Sequence, residues 1–235
     1  MNSVKVDFEK RKNEIQEYLA YVTVICDDNT KIKHSVENIF REEKVSDQLQ
    51  KILIANGFLI LYNLIEATIR NSICEIFDRI QDEGIAYIDL SESIKRIWID
   101  QNTHGFKNGN TKFETLRDCV LSITTAIIAK ENIQFAKDQI NFSGNLDAKK
   151  IRTLATSYGF DVPSKNGDNL LTIKNKRNHL AHGDFTFSDI GKDYTVNDLN
   201  NFKEETFDYL EDVILKIEAF INGKSFKLVI DPIFP

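Results

Sequence analysis

Along most of this chain apolar residues recur at intervals of three and four, the spacing of one helix face, rather than at the alternation of a half-buried strand. Phe8, Ile15, Leu19 and Val22 predict a first amphipathic helix from about Val6 to Ile25, ended by Asp27, Asp28 and Asn29. A longer helix, the spine of the fold, is predicted from Ser46 to Gln81, with Gly84 closing it. Shorter helices are expected at Ser91 to Asp100, Lys112 to Phe135 and Asp147 to Tyr158. The second of these carries Phe113, Leu116, Val120, Ile123 and Ile127 on one side, and the third is closed by Gly159. Gln101 to Lys112, dense in Gly, Asn and Thr, reads as an exposed loop, and Val162 to Asn169 as a connector. A helix from about Asp168 to His182 then stops at Gly183. A loop through Gly191 leads to a final helix, about Asn197 to Ile221, and the tail KSFKLVIDPIFP has room for one short strand.

Composition agrees with an all-α bundle. Among 235 residues, 42% are hydrophobic while Pro and Gly number only 3 and 10, so a continuous helical core in one domain is expected. The longest uncharged run, Ile52 to Ile65, is too short by itself to cross a hydrocarbon layer and is expected to be a buried helix segment. The N-terminal residues are charged from Lys5 onwards and lack the apolar stretch of a signal peptide. Cys26, Cys74 and Cys119 are odd in number and far apart, which suits reduced thiols in a cytoplasmic protein. No CxxC or Cys/His cluster is present, so neither a metal site nor a cofactor is expected.

The formal net charge of −6 argues against indiscriminate coating of nucleic acid. Its distribution is uneven, however. From Lys149 to Gly183, seven Lys or Arg stand against two Asp, a net of +5; from Asp184 to Phe220, ten acids stand against three Lys, a net of −7. A local anion site inside the basic segment is therefore favoured over general affinity for polyanions.

That segment contains Arg177-Asn178-His179-Leu180-Ala181-His182. On a helix Asn178 and His182 share a face, whereas Arg177 lies about 140° from His182 and must reach round with its long side chain. A guanidinium is a permanently charged fork matched to phosphate, and a histidine in the last helical turn sits at the negative end of the helix dipole. Together they suit attack of a ribose 2′-OH on the adjacent phosphorus, with histidine moving protons, arginine neutralising the added charge and no metal needed. His179 is as readily a structural histidine. Asn63, Glu66 and Arg70 form a polar stripe on the otherwise apolar spine; Glu66 and Arg70 are either an i,i+4 ion pair or a support for the site.

R-x4-H followed by Gly and preceded by Lys-Arg-Asn, late in an all-α chain, resembles the HEPN nuclease signature, and LILYNLIEATIRN (59 to 71) is similar to the early helix of HEPN proteins of prokaryotic toxin–antitoxin and phage-defence loci. The resemblance covers about two thirds of the chain. It implies one HEPN-like domain over 1–235, an up-and-down core with inserted helices, a peripheral insertion around 101–142 and a short tail at 223–235. It also implies a homodimer whose two motif helices meet across a twofold axis, RNA as substrate, and an antitoxin or other defence protein as partner. On this view Arg177 and His182 are catalytic, Asn178 and Glu66 support them, and Lys174, Lys176 and Arg70 are candidate RNA contacts. Some HEPN toxins carry R-x4-H-x-Tyr; here the last position is Asp184, so regulation through that tyrosine is not implied. The alternative is a HEPN domain that binds a protein partner without catalysis.

Overall fold

The computed structural model describes residues 1–36, 39–106, 112–140, 142 and 144–229. In chain order they form α1 (Asn2–Ile25), β1 (Lys31–Val36), β2 (Ile39–Lys44), α2 (Asp47–Asp82), α3 (Glu92–Asn102), α4 (Phe113–Ile128), α5 (Ala148–Tyr158), α6 (Asp168–His182), α7 (Phe187–Gly191) and α8 (Val196–Asn222). The all-α expectation holds, with one small antiparallel strand pair added.

Everything is arranged around α2, which is apolar on almost every face and so requires neighbours on almost every side. Ser46 starts it as predicted, its hydroxyl accepting the Leu49 N–H at 3.2 Å. From Ile54 to Ile80 the helix buries Phe58, Leu61, Tyr62, Ile65, Ile69, Ile73, Ile76 and Phe77, and α1, α6, α7 and α8 all pack against it. By length and composition α2 could cross a membrane. In this fold those side chains are spent on the core. α1 contributes Phe8, Ile15, Leu19 and Val22, the residues whose spacing predicts it, and α8 contributes Leu199, Leu210, Val213 and Ile217.

The structure corrects several expectations. Residues 31–36 and 39–44 form two antiparallel strands that helical periodicity does not signal; Lys33 stands opposite Glu42 and pairs with it at 2.9 Å. The fourth helix stops at Ile128 instead of reaching Phe135. There the backbone turns through Lys130, Ile133 donates to the Ile85 carbonyl at 2.9 Å, and Phe135 stacks flat on Phe77 with ring centroids 4.2 Å apart. Burial of those two side chains under α2 competes successfully with two more helical turns. The loop expected through Gly191 contains α7, started by a capping box in which Thr186 and Asp189 satisfy each other's backbone N–H. Residues 107–111 of the expected 101–112 loop lie outside the described residues. So does 230–235 of the tail, whose described part makes one bridge, Lys227 to Leu90.

α7 presses against α2 so closely that a Cβ at Gly191 would overlap the Lys51 backbone. Backbone cannot rotate away as a side-chain tip can, so Gly191→Ala is expected to destabilise the fold by about 3 kcal/mol. Thermal unfolding checks this; a melting temperature unchanged from wild type would contradict it.

Candidate functional site

The motif helix α6 is fixed at one end and along one side, and free at the other end. Its N-terminus lacks a side-chain cap of its own, and Glu205 from α8 takes over: one carboxylate oxygen accepts the Asn169 N–H at 2.7 Å and the other accepts the Asn169 side-chain amide at 2.7 Å. A carboxylate at this position also complements the helix dipole. Leu170 and Ile173 are buried in the core. At the C-terminus Gly183 adopts the left-handed conformation, and Gly183 and Asp184 N–H groups take the Leu180 and His179 carbonyls.

Arg177 leaves α6 towards α2. Its guanidinium lies over the ring of Tyr62, 4.7 Å from the centroid, and donates to the Asn178 Oδ1 at 3.1 Å. Tyr62 is itself held, its hydroxyl accepting the Leu146 N–H at 3.2 Å. Burial pushes the Tyr62 phenol up from its ordinary pKa, so the ring remains neutral beneath the cation. The chain after α4 closes over this pair. Ile140 accepts from Arg70 at 2.8 Å, the Phe142 ring lies 6.0 Å from the Arg70 guanidinium, and Gly144 passes beside Arg177. Gly144 has φ +68°, and a Cβ there would stand 2.5 Å from Arg177 Nη1. Tyr62 and Gly144 were not identifiable as site residues from the sequence. Tyr62 reads as one more apolar position on the spine, and Gly144 lies in a stretch without periodicity.

Among the described residues no carboxylate pairs with Arg177, and none hydrogen-bonds to the imidazole of His182, which is exposed in the last turn. Arg177 and Asn178 are brought into contact; His182 is not joined to them within one chain. His179 turns the other way, its ring 5.0 Å from Phe185, and with Lys176, Asp184, Asp189 and Asp193 lines a hollow of about 440 Å³. Lys176 lies over Tyr194 at 5.4 Å. Glu66 and Arg70 approach to 3.5 Å as an i,i+4 pair, while Asn63 accepts from Arg11 at 2.7 Å, so the polar stripe is shared between two neighbours.

Lys174 is not a free cation for RNA. Its ammonium meets Asp147 Oδ2 at 2.6 Å, with the two side chains only 16% and 14% exposed. Asp147 also accepts the Lys150 N–H as the N-cap of α5. Burial alone would raise the Asp147 carboxyl, but the Lys174 ammonium and the Lys150 N–H outweigh it and hold the group below the usual carboxylate range. A depressed carboxyl stabilises the fold above its unfolded pKa, and the benefit disappears as pH falls through the folded value. Asp147→Asn keeps the cap but leaves a largely buried ammonium unpaired. It is expected to cost on the order of 2–3 kcal/mol at neutral pH, a gap that closes as the pH drops below about 4. Denaturant unfolding of both proteins across that range checks this; a gap that persists in acid would contradict it.

Among the described residues there is no group of three or more His, Cys, Asp or Glu arranged to hold a metal. No curated protein and no solved structure matches the chain. A family profile described as HEPN_MAE_28990-like HEPN matches residues 2–226, nearly the whole length, including every element from α1 to α8. The chain is a member of this HEPN family.

Proposed function

We propose that this HEPN protein is a metal-independent endoribonuclease of the cytoplasm, acting as a toxin or antiviral effector, whose site is completed by a second copy of the chain. The observation that carries the reading is Arg177: a half-buried guanidinium, positioned on Tyr62 and by Asn178, with no carboxylate to neutralise it among the described residues. Lys174 and Arg70 nearby both have acidic partners. A cation held in place without a counter-ion is suited to an anion that arrives from outside, and a phosphoryl group matches its fork. Membership of a superfamily that often contains ribonucleases supports the same reading.

His182 supplies the proton chemistry. In the first step one imidazole takes the 2′-OH proton as the oxygen attacks phosphorus, and a second donates a proton to the departing 5′ oxygen, leaving a 2′,3′-cyclic phosphate. One exposed His182 per chain cannot do both, whereas a twofold pair divides the roles. The outward face of α6 carries Leu171, Asn175 and His182, all exposed, with Asp168 at its N-terminal end as the carboxylate on that face. Asn178 orients the Arg177 fork. Glu66 and Arg70 act at one remove, through the contacts of Arg70 with Ile140 and Phe142. Lys176 is the remaining candidate contact for RNA beyond the cleaved bond.

RNA cleavage by the purified protein in EDTA tests this directly, with cyclic-phosphate ends as the expected product. His182→Ala and Arg177→Ala are each expected to lower the rate by at least a hundredfold. Mixing the two variants is expected to raise cleavage above either variant alone but far below wild type, because the heterodimers keep one Arg177 and one His182 on opposite chains and a single imidazole serves one of the two proton transfers. Loss of activity on chelation, reversed by added metal, or full activity in a monomer would contradict the reading.

Gly144→Ala separates positioning from folding. The added methyl must displace Arg177 Nη1, and the residue must also hold a positive φ, at a cost of about 1 kcal/mol. Cleavage is expected to fall about tenfold or more, with only a modest change in melting temperature. Cleavage at the wild-type rate would show that the position of Arg177 over Tyr62 is unimportant.

A further inference from the structure

Among the described α-helices, α4 is the one that buries no residue, although it is rich in apolar side chains. Ile123, Ala126 and Ile127 rest against the core as half-buried side chains. At 100° per residue four of the exposed apolar residues gather on an outward stripe about 100° wide, while Leu116 lies between Ile123 and Ile127 on the core-facing side. The stripe contains Phe113, Val120, Leu121 and Ile128, exposed by 76, 53, 58 and 77%. The single charged residue within the stripe, Arg117, is paired with Asp118 at 3.1 Å. From Cys119 to Ala129 the helix carries no charge at all. A 16-residue helix is barely stable by itself, and one that turns this stripe to water lacks the burial that normally secures it.

We propose that the outward face of α4 pairs with the same face of a second copy of this chain, antiparallel and about a twofold axis that passes between Val120 and Leu121. The argument for a second copy is that the stripe is a palindrome about that point. In antiparallel register Phe113 faces Ile128, Val120 faces Leu121 and Arg117 faces Thr124. Each of these apolar positions meets an apolar one, and no like charges are opposed. An isologous interface demands this kind of self-complementarity, and an unrelated partner does not require it. The area is also sufficient: the four side chains expose roughly 500 Å² per copy, so pairing removes on the order of 1,000 Å², the lower end of what specific interfaces bury. A charged or polar partner would gain little from a face with one charge already paired within its own helix.

This pairing does not depend on the ribonuclease reading, and RNA cleavage is not its readout. The test is sedimentation equilibrium of the full chain as wild type, Val120→Lys, Leu121→Glu, and an equimolar mixture of the two variants. Each variant is expected to halve the assembly mass relative to wild type, whether wild type is a dimer or a larger species. The mixture is expected to restore it, because Lys at 120 then faces Glu at 121 across the axis. Circular dichroism of the variants is expected to match wild type, since both positions are more than half exposed. A covalent trap covers the case of a poorly folded variant. In a Cys119→Ser background, Val120→Cys lies beside the axis and is expected to form disulfide-linked dimers, whereas Ile128→Cys, which faces Phe113, is not. Unchanged masses for both variants, halved masses that mixing does not restore, or crosslinking at 128 in place of 120 would overturn the proposal, whatever else then covers the stripe.

Discussion

A helix of 36 residues with apolar side chains on nearly every face has no stable place except the centre of a bundle, and the enclosure of α2 sets the positions of the other elements. α1 and α8 cover it with the stripes their spacing predicts. α7 comes close enough to touch backbone, and α6 is seated by Leu170 and Ile173. The same enclosure places the chemistry. Because Arg177 points from α6 towards α2, its guanidinium meets the face of Tyr62, a residue otherwise committed to the core. The stem of the arginine is thereby packed and its charged head is held at a fixed place, which a surface arginine would achieve only at the expense of side-chain entropy.

Electrostatics then separates the cations of the basic segment into two kinds. Lys174 lies within 2.6 Å of Asp147 and is a structural charge that ties α6 to the N-terminus of α5. Arg177, three residues later, has an aromatic ring and an amide but no carboxylate among the described residues. A net charge of +5 over residues 149–183 therefore overstates what is available to a ligand. Lys149, Lys150, Arg152 and Lys165 lie on α5 and the connector after it; towards the end of α6 there remain one oriented guanidinium, one half-buried Lys176 and one exposed histidine. Such an arrangement suits one or two phosphates recognised through geometry better than a long polyanion held through field strength, in keeping with an acidic chain.

The sequence carries the helices well wherever one face alone is buried, because periodicity records that asymmetry directly. α1, the start of α2 at Ser46, α5, α6 and α8 fall within a few residues of their expected limits. It also singles out Arg177, Asn178 and His182. Elements fixed by tertiary contacts are harder to read. The end of α4 depends on Phe135 stacking on Phe77, 58 residues away in sequence, and α7 is a five-residue helix whose security comes from its approach to Lys51. The strand pair alternates only weakly, and nothing in its composition distinguishes it from a charged loop. At the site, the missed contributors are those whose role is purely spatial. Tyr62 looks like core and Gly144 looks like loop, and only their meeting at the Arg177 guanidinium gives them meaning.

The central claim is that Arg177 and His182 face one bound phosphodiester. The most direct measurement follows the His182 ring and Arg177 side-chain NMR resonances while an oligoribonucleotide with 2′-O-methyl groups, which lacks the internal nucleophile, is added in EDTA. A shared anion site requires both residues to shift together and saturably, with the His182 shift weakened in Arg177→Ala and by added salt. Resonances of His182 that stay in place at RNA concentrations where other parts of the protein respond would contradict it.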